Sequence, residues 1–508
     1  MKYISTRSKI APVSSAEAIL QGLAPDGGLF VPETIPKIKL EEIGELVNKN
    51  YVARAAEILK RFLTDFTENE LFECAELAYN LFDIPSKVPL AILVKDPKDP
   101  KFPIGIAELW HGPTYAFKDL ALQILPRLMT YALKKVGETK EILILVATSG
   151  DTGKAALAGF ADVPQTKIMV FYPNGGVSKI QRLQMVTQTG ENVNVTAVNG
   201  NFDDAQNGVK KIFSDEKIIE QLADANIKLS SANSINWGRL VPQIVYYFSS
   251  YAEFIRTKQI KLGDAVNIVV PTGNFGNILA AYYAKRMGLP VKRLVCASNS
   301  NNVLTEFFKT GVYNRNREFH KTISPSMDIL ISSNLERLLY HEAGHTDQVK
   351  RFMTQLNTTG KYKIDPPLKK KLDKIFYAGF ATEEETAHMI KEMFNTFKYI
   401  VDPHTAVALK ILSNYRRETH DMTPFIAAST ASPFKFTPAV LNALGENVDG
   451  MDDFKQMDKL SLMTNRKIPR NLEKLHDAKI LHSDVCEKDE MPEKVLKFAK
   501  KLVNKEVG

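Results

Sequence analysis

One lysine in this chain stands where an ammonium group is poorly solvated. The run His111-Gly112-Pro113-Thr114-Tyr115-Ala116-Phe117-Lys118-Asp119 places Lys118 among Phe117, Ala116, Leu120 and Ala121. Desolvation disfavours the charged form of a lysine and lowers its pKa, leaving a free amine that can attack a carbonyl. That is the chemistry required to carry an aldehyde cofactor as a Schiff base. A lone lysine at an amphipathic helix start more often snorkels to water, but that reading leaves two glycine-containing loops further along the chain unexplained.

The first loop is Thr148-Ser149-Gly150-Asp151-Thr152-Gly153, between a short apolar run and a helical pattern. Backbone N–H groups at a helix N-terminus bind anions, and the Ser149 and Thr152 hydroxyls add donors for a substrate carboxylate or phosphate. Taken alone it reads equally as a tight turn with Asp151 or Thr152 as helix cap. The second loop is Pro271-Thr272-Gly273-Asn274-Phe275-Gly276-Asn277, again between strand and helix patterns. Gly273 and Gly276 permit close approach of a phosphate to the backbone. The loop lacks the lysine–hydroxyl pair of a nucleotide-binding P-loop and is not GxGxxG, so a single anchoring phosphate is expected. Ser429 and Thr430 end the apolar run Phe425–Ala428, where a neutral hydroxyl suits a pyridine nitrogen. Asn233, Asn236 and Arg239 form a further polar group, with Arg239 a candidate clamp for an anion. His404 and His111 read as structural. Nine histidines without HxH or HExxH spacing predict no catalytic metal.

The elements that must position these residues change character along the chain. Helical periodicity over Glu41–Arg61 and Glu68–Phe82 predicts a helical region over 1–95, followed by an exposed loop at Lys95–Pro103. From Glu141 onward, strands alternate with helices: strands over Glu141–Thr148, Lys167–Tyr172, Val193–Val198 and Lys228–Ala232, then Val266–Val270 and Arg293–Ala297. Tyr399–Val401 and Phe425–Ala428 are expected to add short strands, and Trp237–Ile255 to form one long helix. Parallel strands need crossover helices, so the fold class is α/β with two open, mostly parallel units and a cleft between them at the strand ends. The larger unit is assigned to 96–135 and 235–440, a smaller mobile unit to 136–234, and a C-terminal extension to 441–508.

With 44% hydrophobic and 24% charged residues the 508-residue chain has ample core material. Its net charge of +8 is dispersed, without a basic block, so no nucleic-acid partner is expected. Cys74, Cys296 and Cys486 form no disulfide pattern, the N-terminus lacks a secretory apolar run, and no stretch approaches a membrane span. A cytoplasmic location is expected.

Together these motifs resemble the threonine synthase family, pyridoxal-phosphate enzymes of the tryptophan-synthase β-like fold (fold type II). The similarity also runs through Tyr3–Arg7, Gly22-Leu23-Ala24-Pro25-Asp26-Gly27-Gly28-Leu29-Phe30-Val31-Pro32, Ser298–Leu304 and Ser326–Ile329. The resemblance implies that Lys118 holds the cofactor and shuttles protons. It implies that Gly273, Asn274, Phe275, Gly276 and Asn277 surround the cofactor phosphate, and that Thr430 faces the pyridine nitrogen. Ser149, Asp151, Thr152, Asn233 and Arg239 are the candidate substrate contacts. The implied reaction is that of a carbon–oxygen lyase acting on phosphates. O-phospho-L-homoserine and water give L-threonine and phosphate, by γ-elimination and then addition of water at the β carbon. A phospho-lyase or deaminase releasing 2-oxobutyrate is the alternative, and a non-catalytic cofactor-binding protein a third. A monomer or homodimer is expected. Two departures stand out: Gly176 replaces a basic residue usual in relatives, with Lys179 expected to compensate, and Ser432 replaces a histidine after Thr430-Ala431.

Overall fold

The computed structural model describes residues 1–93, 103–148 and 150–501. The loop expected at Lys95–Pro103 lies outside the described residues except for Pro103, as does Ser149.

Two sheets form the framework. From edge to edge the larger contains Phe376–Phe380, Val291–Ser298, Val266–Pro271, Phe425–Ser429, Ile104–Glu108 and Leu90–Leu93. All neighbours are parallel except Leu90–Leu93, which runs antiparallel to Ile104–Glu108. The Val266–Pro271 strand is buried at every position, because alternate side chains enter different cores on the two faces. Ile268 and Val270 pack with the helix Gly276–Met287. Val269, with Val295 and Ala427, packs with the helix Pro403–Thr419.

The smaller sheet is parallel throughout, in the order Asp484–Glu487, Val193–Asn199, Thr166–Pro173, Glu141–Ala147, Ile227–Ser230. Ile142, Ile144 and Val146 face the helix Asp151–Phe160. Leu143, Leu145, Met169 and Phe171 face the helix Phe202–Ser214 and the C-terminal residues Met491, Val495 and Phe498. The segment beyond 440 is thus shared between the two units. Val440, Leu441, Met457, Leu460, Leu472 and Leu475 lie in the core of the larger unit. The chain then crosses at Leu481 and His482, whose N–H groups donate to the Val186 carbonyl (2.8 and 3.0 Å), and supplies the edge strand of the smaller sheet.

The N-terminal region carries helices Ser15–Gln21, Leu40–Glu45, Tyr51–Leu59 and Glu68–Tyr79, with Tyr3–Ser5 paired antiparallel to Phe30–Pro32. Trp237 is buried against Tyr3, Phe62 and Tyr283, joining this region to the larger unit.

Two local expectations are corrected. Tyr399–Val401 forms no strand: the Tyr399 hydroxyl donates to Glu108 at 2.5 Å, and Asp402 caps the following helix by accepting from the His404 N–H. Its apolar residues anchor a helix entry instead of pairing with a sheet. The helix expected over Trp237–Ile255 divides into Trp237–Leu240 and Pro242–Arg256. Pro242 lacks an N–H for the upstream ladder, but its fixed φ suits the first turn of the second helix.

Candidate active site

The residues before Lys118 are clamped to the end of the strand Phe425–Ser429. Phe117 N–H donates to the Thr430 carbonyl (2.8 Å), Ser432 N–H donates to the Tyr115 carbonyl (3.1 Å), and Ala116 bridges Ala431. Tyr115 takes a left-handed φ of 59° to turn the chain. Asp119 then locks the turn by accepting from Thr114 N–H and Thr114 Oγ1, both at 2.8 Å. A Cβ at Gly112 would lie 2.4 Å from the Asp119 Cβ, so only glycine fits there. Burial pushes the Asp119 carboxyl up to about 6 although the Thr114 bonds oppose it.

This frame holds Lys118 Nζ 3.3 Å from Ser326 Oγ and 3.6 Å from Asp151 Oδ2, with its side chain 11% exposed. Burial lowers the amine to about 8. The Asp151 charge opposes that shift, while the Arg239 and Lys435 charges reinforce it.

Asp151 begins the helix Asp151–Phe160 of the smaller unit, after Gly150 at φ 134°. Its Oδ1 accepts from Lys435 Nζ at 2.6 Å and from Gln181 Nε2 at 3.1 Å, and its Oδ2 accepts from Ser326 Oγ at 3.4 Å. Burial alone would raise this carboxyl, but the Lys435 and Lys118 charges hold it far below the usual carboxylate range. Arg239 donates to the Ala232 carbonyl (2.8 Å) and reaches Thr152 Oγ1 at 3.4 Å. Its burial lowers the guanidinium to about 10. Asp151, Thr152 and Arg239 therefore share one wall with Lys118, and half-buried Asn233 lies in the turn before Arg239. Asn236 is committed elsewhere: its Nδ2 donates to the Ile19 and Ser231 carbonyls and its Oδ1 accepts from Gly238 N–H.

The second loop divides its residues between core and cleft. Phe275 has a left-handed φ of 64°, and its ring packs on Phe308 and Phe376, so only its backbone is left at the loop. Asn274 is exposed. A Cβ at Gly273 would stand 3.1 Å from the Ser326 carbonyl oxygen, a gap that glycine leaves open. Asn277 Oδ1 accepts from the Tyr246 and Tyr247 hydroxyls (2.6 and 2.5 Å), while its buried Nδ2 has no partner among the described residues. Beside it begins the helix Gly276–Met287, whose N-terminus favours an anion. Thr430 is buried, and its hydroxyl makes no hydrogen bond among the described residues. Ser429 is occupied by Trp110 Nε1 and Thr405 Oγ1, both at 3.0 Å.

Sequence reasoning missed two groups at this site, Lys435 and Ser326. Lys435 follows the strand-end hydroxyls by a few residues, the one signal that could have found it. Ser326 lies in a stretch noted only for its resemblance. His404, read as structural, is satisfied by Asp402 at 2.7 Å through Nδ1, and its Nε2 accepts the Ser326 N–H at 3.2 Å, which fixes the ring in place beside the cleft. Lys179, expected to compensate for Gly176, is instead exposed and paired with Asp452 and Asp453 over the Phe454 ring. Gly176 lies in an exposed turn. Ser432 is buried and its Oγ accepts from Phe434 N–H. Among the described residues no group of histidine, cysteine and carboxylate side chains could hold a metal, and no helix is long and apolar enough to cross a membrane.

A buried amine whose charged form is disfavoured, a helix N-terminus with an unsatisfied amide donor, and a free hydroxyl at a strand end together fit a phosphorylated pyridine aldehyde. Enzymes that use pyridoxal 5′-phosphate on two parallel α/β units form the fold type II class, and this chain has that architecture. Family models for the threonine synthase N terminus, for pyridoxal-phosphate-dependent enzymes and for the threonine synthase C-terminal region match residues 2–79, 104–367 and 405–492. Threonine synthase from Saccharomyces cerevisiae is 38% identical over 467 residues, covering 87% of this chain and 89% of that protein. Threonine synthase-like 1 from Homo sapiens is 41% identical over 461 residues; the match takes in 87% of this chain but spans only 60% of the human protein. The crystal structure of pyridoxal-phosphate-bound threonine synthase from Brucella melitensis superposes with a TM-score of 0.86 at 36% identity, covering 98% of this chain and 100% of that one. The chain belongs to the threonine synthase family, and its cofactor is pyridoxal 5′-phosphate.

Proposed function

We propose that the protein converts O-phospho-L-homoserine and water to L-threonine and inorganic phosphate. The observation that carries this reading is the desolvated Lys118 amine, held between Asp151 of the first glycine loop and Ser326, whose carbonyl lies against Gly273 of the second. Bound pyridoxal phosphate supplies an electron sink that stabilises negative charge on the substrate carbons. Lys118 anchors it and, once released, takes and returns protons at the substrate α and β carbons; an amine held near 8 suits both directions. Gly273 to Asn277 receive the cofactor phosphate, with Asn277 Nδ2 as donor, and the Thr430 hydroxyl meets the ring nitrogen. Thr152, Asn233 and Arg239 orient the substrate anions, together with Ser149. Movement of the smaller unit over the cleft excludes water until the hydration step. The synthase from yeast, matched over 89% of its length, supports the complete reaction.

The same residues serve a second reading, elimination without hydration and release of 2-oxobutyrate, since the two differ only in whether water is admitted to the cleft after elimination. Product analysis separates the two. Threonine formed in step with phosphate supports the synthase, whereas phosphate with 2-oxobutyrate and no threonine supports the lyase. Threonine formation retained by Lys118→Ala would overturn the role of the lysine.

A further inference from the structure

The Asp151 carboxylate stands nearer to Lys435 than to Lys118, and the two lysines reach it from different places. Asp151 opens a helix of the smaller unit, whereas Lys435 follows the strand Phe425–Ser429 of the larger unit by six residues or fewer. Lys435 is buried, and its Nζ has two partners, Asp151 Oδ1 at 2.6 Å and the Thr114 carbonyl at 3.0 Å. Gln181 Nε2 holds the same carboxylate oxygen at 3.1 Å. The other oxygen faces Ser326 Oγ at 3.4 Å and Lys118 Nζ at 3.6 Å.

We propose that Lys435 is a positioning residue for Lys118, engaging Asp151 across the cleft so that the carboxylate does not serve as the counter-ion of Lys118 and the amine stays free. The proposal rests on the reading of Lys118 as the cofactor-bearing residue. The charge balance leads to it directly. Asp151 with Lys435 is a neutral pair, closed by hydrogen bonds from Gln181 and Ser326, which a buried ion pair requires. Without Lys435, Asp151 is a buried carboxylate with Lys118 as the nearest cation, and a carboxylate at that distance favours an ammonium.

The other charged or titratable groups around Lys118 do not replace this balance. Arg239, on the helix Trp237–Leu240, adds positive charge and opposes protonation. Asp119 turns its carboxylate back to Thr114. His404 is turned to its own partners, Asp402 at Nδ1 and the Ser326 N–H at Nε2. Lys435 and Asp151 also come from separate units, so the pair forms only when both strand-to-helix loops are assembled around the lysine.

The test reads the proton affinity of the Lys118 nitrogen in the holoenzyme, as the pH midpoint of the absorbance change of the bound cofactor. Lys435→Met is expected to raise the midpoint by about one pH unit or more, and Lys435→Arg to leave it near wild type. Asp151→Asn with Lys435 intact is expected to lower it, because only positive neighbours remain. The double variant Asp151→Asn/Lys435→Met, which buries no charge at this position, is expected to return it toward wild type. The same order is expected in the pH dependence of Lys118 carbamylation by cyanate, followed by peptide mass spectrometry on the full-length protein freed of cofactor. This readout needs no turnover, so it is independent of which reaction the enzyme performs. An unchanged midpoint in Asp151→Asn, or in folded Lys435→Met, overturns the proposal, as does a double variant displaced as far as Lys435→Met.

Discussion

Replacing Asn277 with aspartate separates two tasks that one side chain performs at the start of the helix Gly276–Met287. Its Oδ1 accepts from two buried tyrosine hydroxyls, Tyr246 and Tyr247, and its Nδ2 is a buried donor without a partner among the described residues. Aspartate keeps the acceptor for both tyrosines and removes the donor. In the cofactor-free protein that removal is mild, since an unmade donor bond already costs about 1–3 kcal/mol. With the phosphate bound, the lost charge-assisted bond is worth about 1.5–3 kcal/mol, or about a 10- to 150-fold weaker Kd. Repulsion between carboxylate and phosphate adds to the loss. Asn277→Ala, by contrast, strands both hydroxyls, so it is expected to lower stability as well, by about 1–3 kcal/mol per unpaired group. The assay is equilibrium dialysis of pyridoxal phosphate, paired with thermal unfolding of the cofactor-free variants. Wild-type affinity in Asn277→Asp with an unchanged Tm would refute the placement of the phosphate at Nδ2.

Other expectations follow from the same structure. Cofactor capture by the stripped enzyme should accelerate as pH rises through about 8, where the Lys118 ammonium loses its proton, and stopped-flow absorbance checks this. Asp119 retains a proton in the fold up to about 6, whereas the unfolded chain releases it near 3.8, the ordinary value for an aspartate. Stability therefore falls as pH rises across that window, and denaturant unfolding should show a flatter profile there in Asp119→Asn. Gly159→Ala places a Cβ 2.0 Å from the Leu122 carbonyl oxygen, next to the lysine turn. Overpacking of that kind costs about 1–3 kcal/mol and should lower the Tm. Ending the chain after Lys479 removes Cys486, Met491, Val495 and Phe498 from the core of the smaller unit, and size-exclusion chromatography should then show aggregates.

Much of this arrangement is written locally in the chain. The strands Glu141–Ala147 and Val266–Pro271 are continuous apolar runs followed by glycine loops, and local sequence suffices to place a loop between strand and helix. The apolar neighbours of Lys118 likewise foretell its desolvation. What was not legible depends on distant pairing. Asp151 and Lys435 are separated by 284 positions, so the counter-ion of a candidate substrate residue could not be read from spacing. Phe275 illustrates another limit: the motif sets its backbone at the loop, but Phe308 and Phe376 decide that its ring turns inward. Tyr399–Val401 has strand-like composition, and only the position of Glu108 shows why it stays unpaired.

The strand Asp484–Glu487 places the order of synthesis in conflict with the order of the sheet. Asn199 and Glu487, hydrogen-bonded side chain to side chain, lie 288 residues apart. At ~5–20 residues per second, a ribosome takes about 15–60 s to cover that interval. Throughout that time the Val193–Asn199 edge has no neighbour, although every residue named around Lys118 has emerged earlier than the strand that closes the sheet. A nascent chain therefore carries an open β edge until residues 484–487 have been made, and it must be kept from pairing with other chains. A strand made this late acts as a folding check, because the smaller sheet is complete only after every residue named around Lys118 has been synthesised.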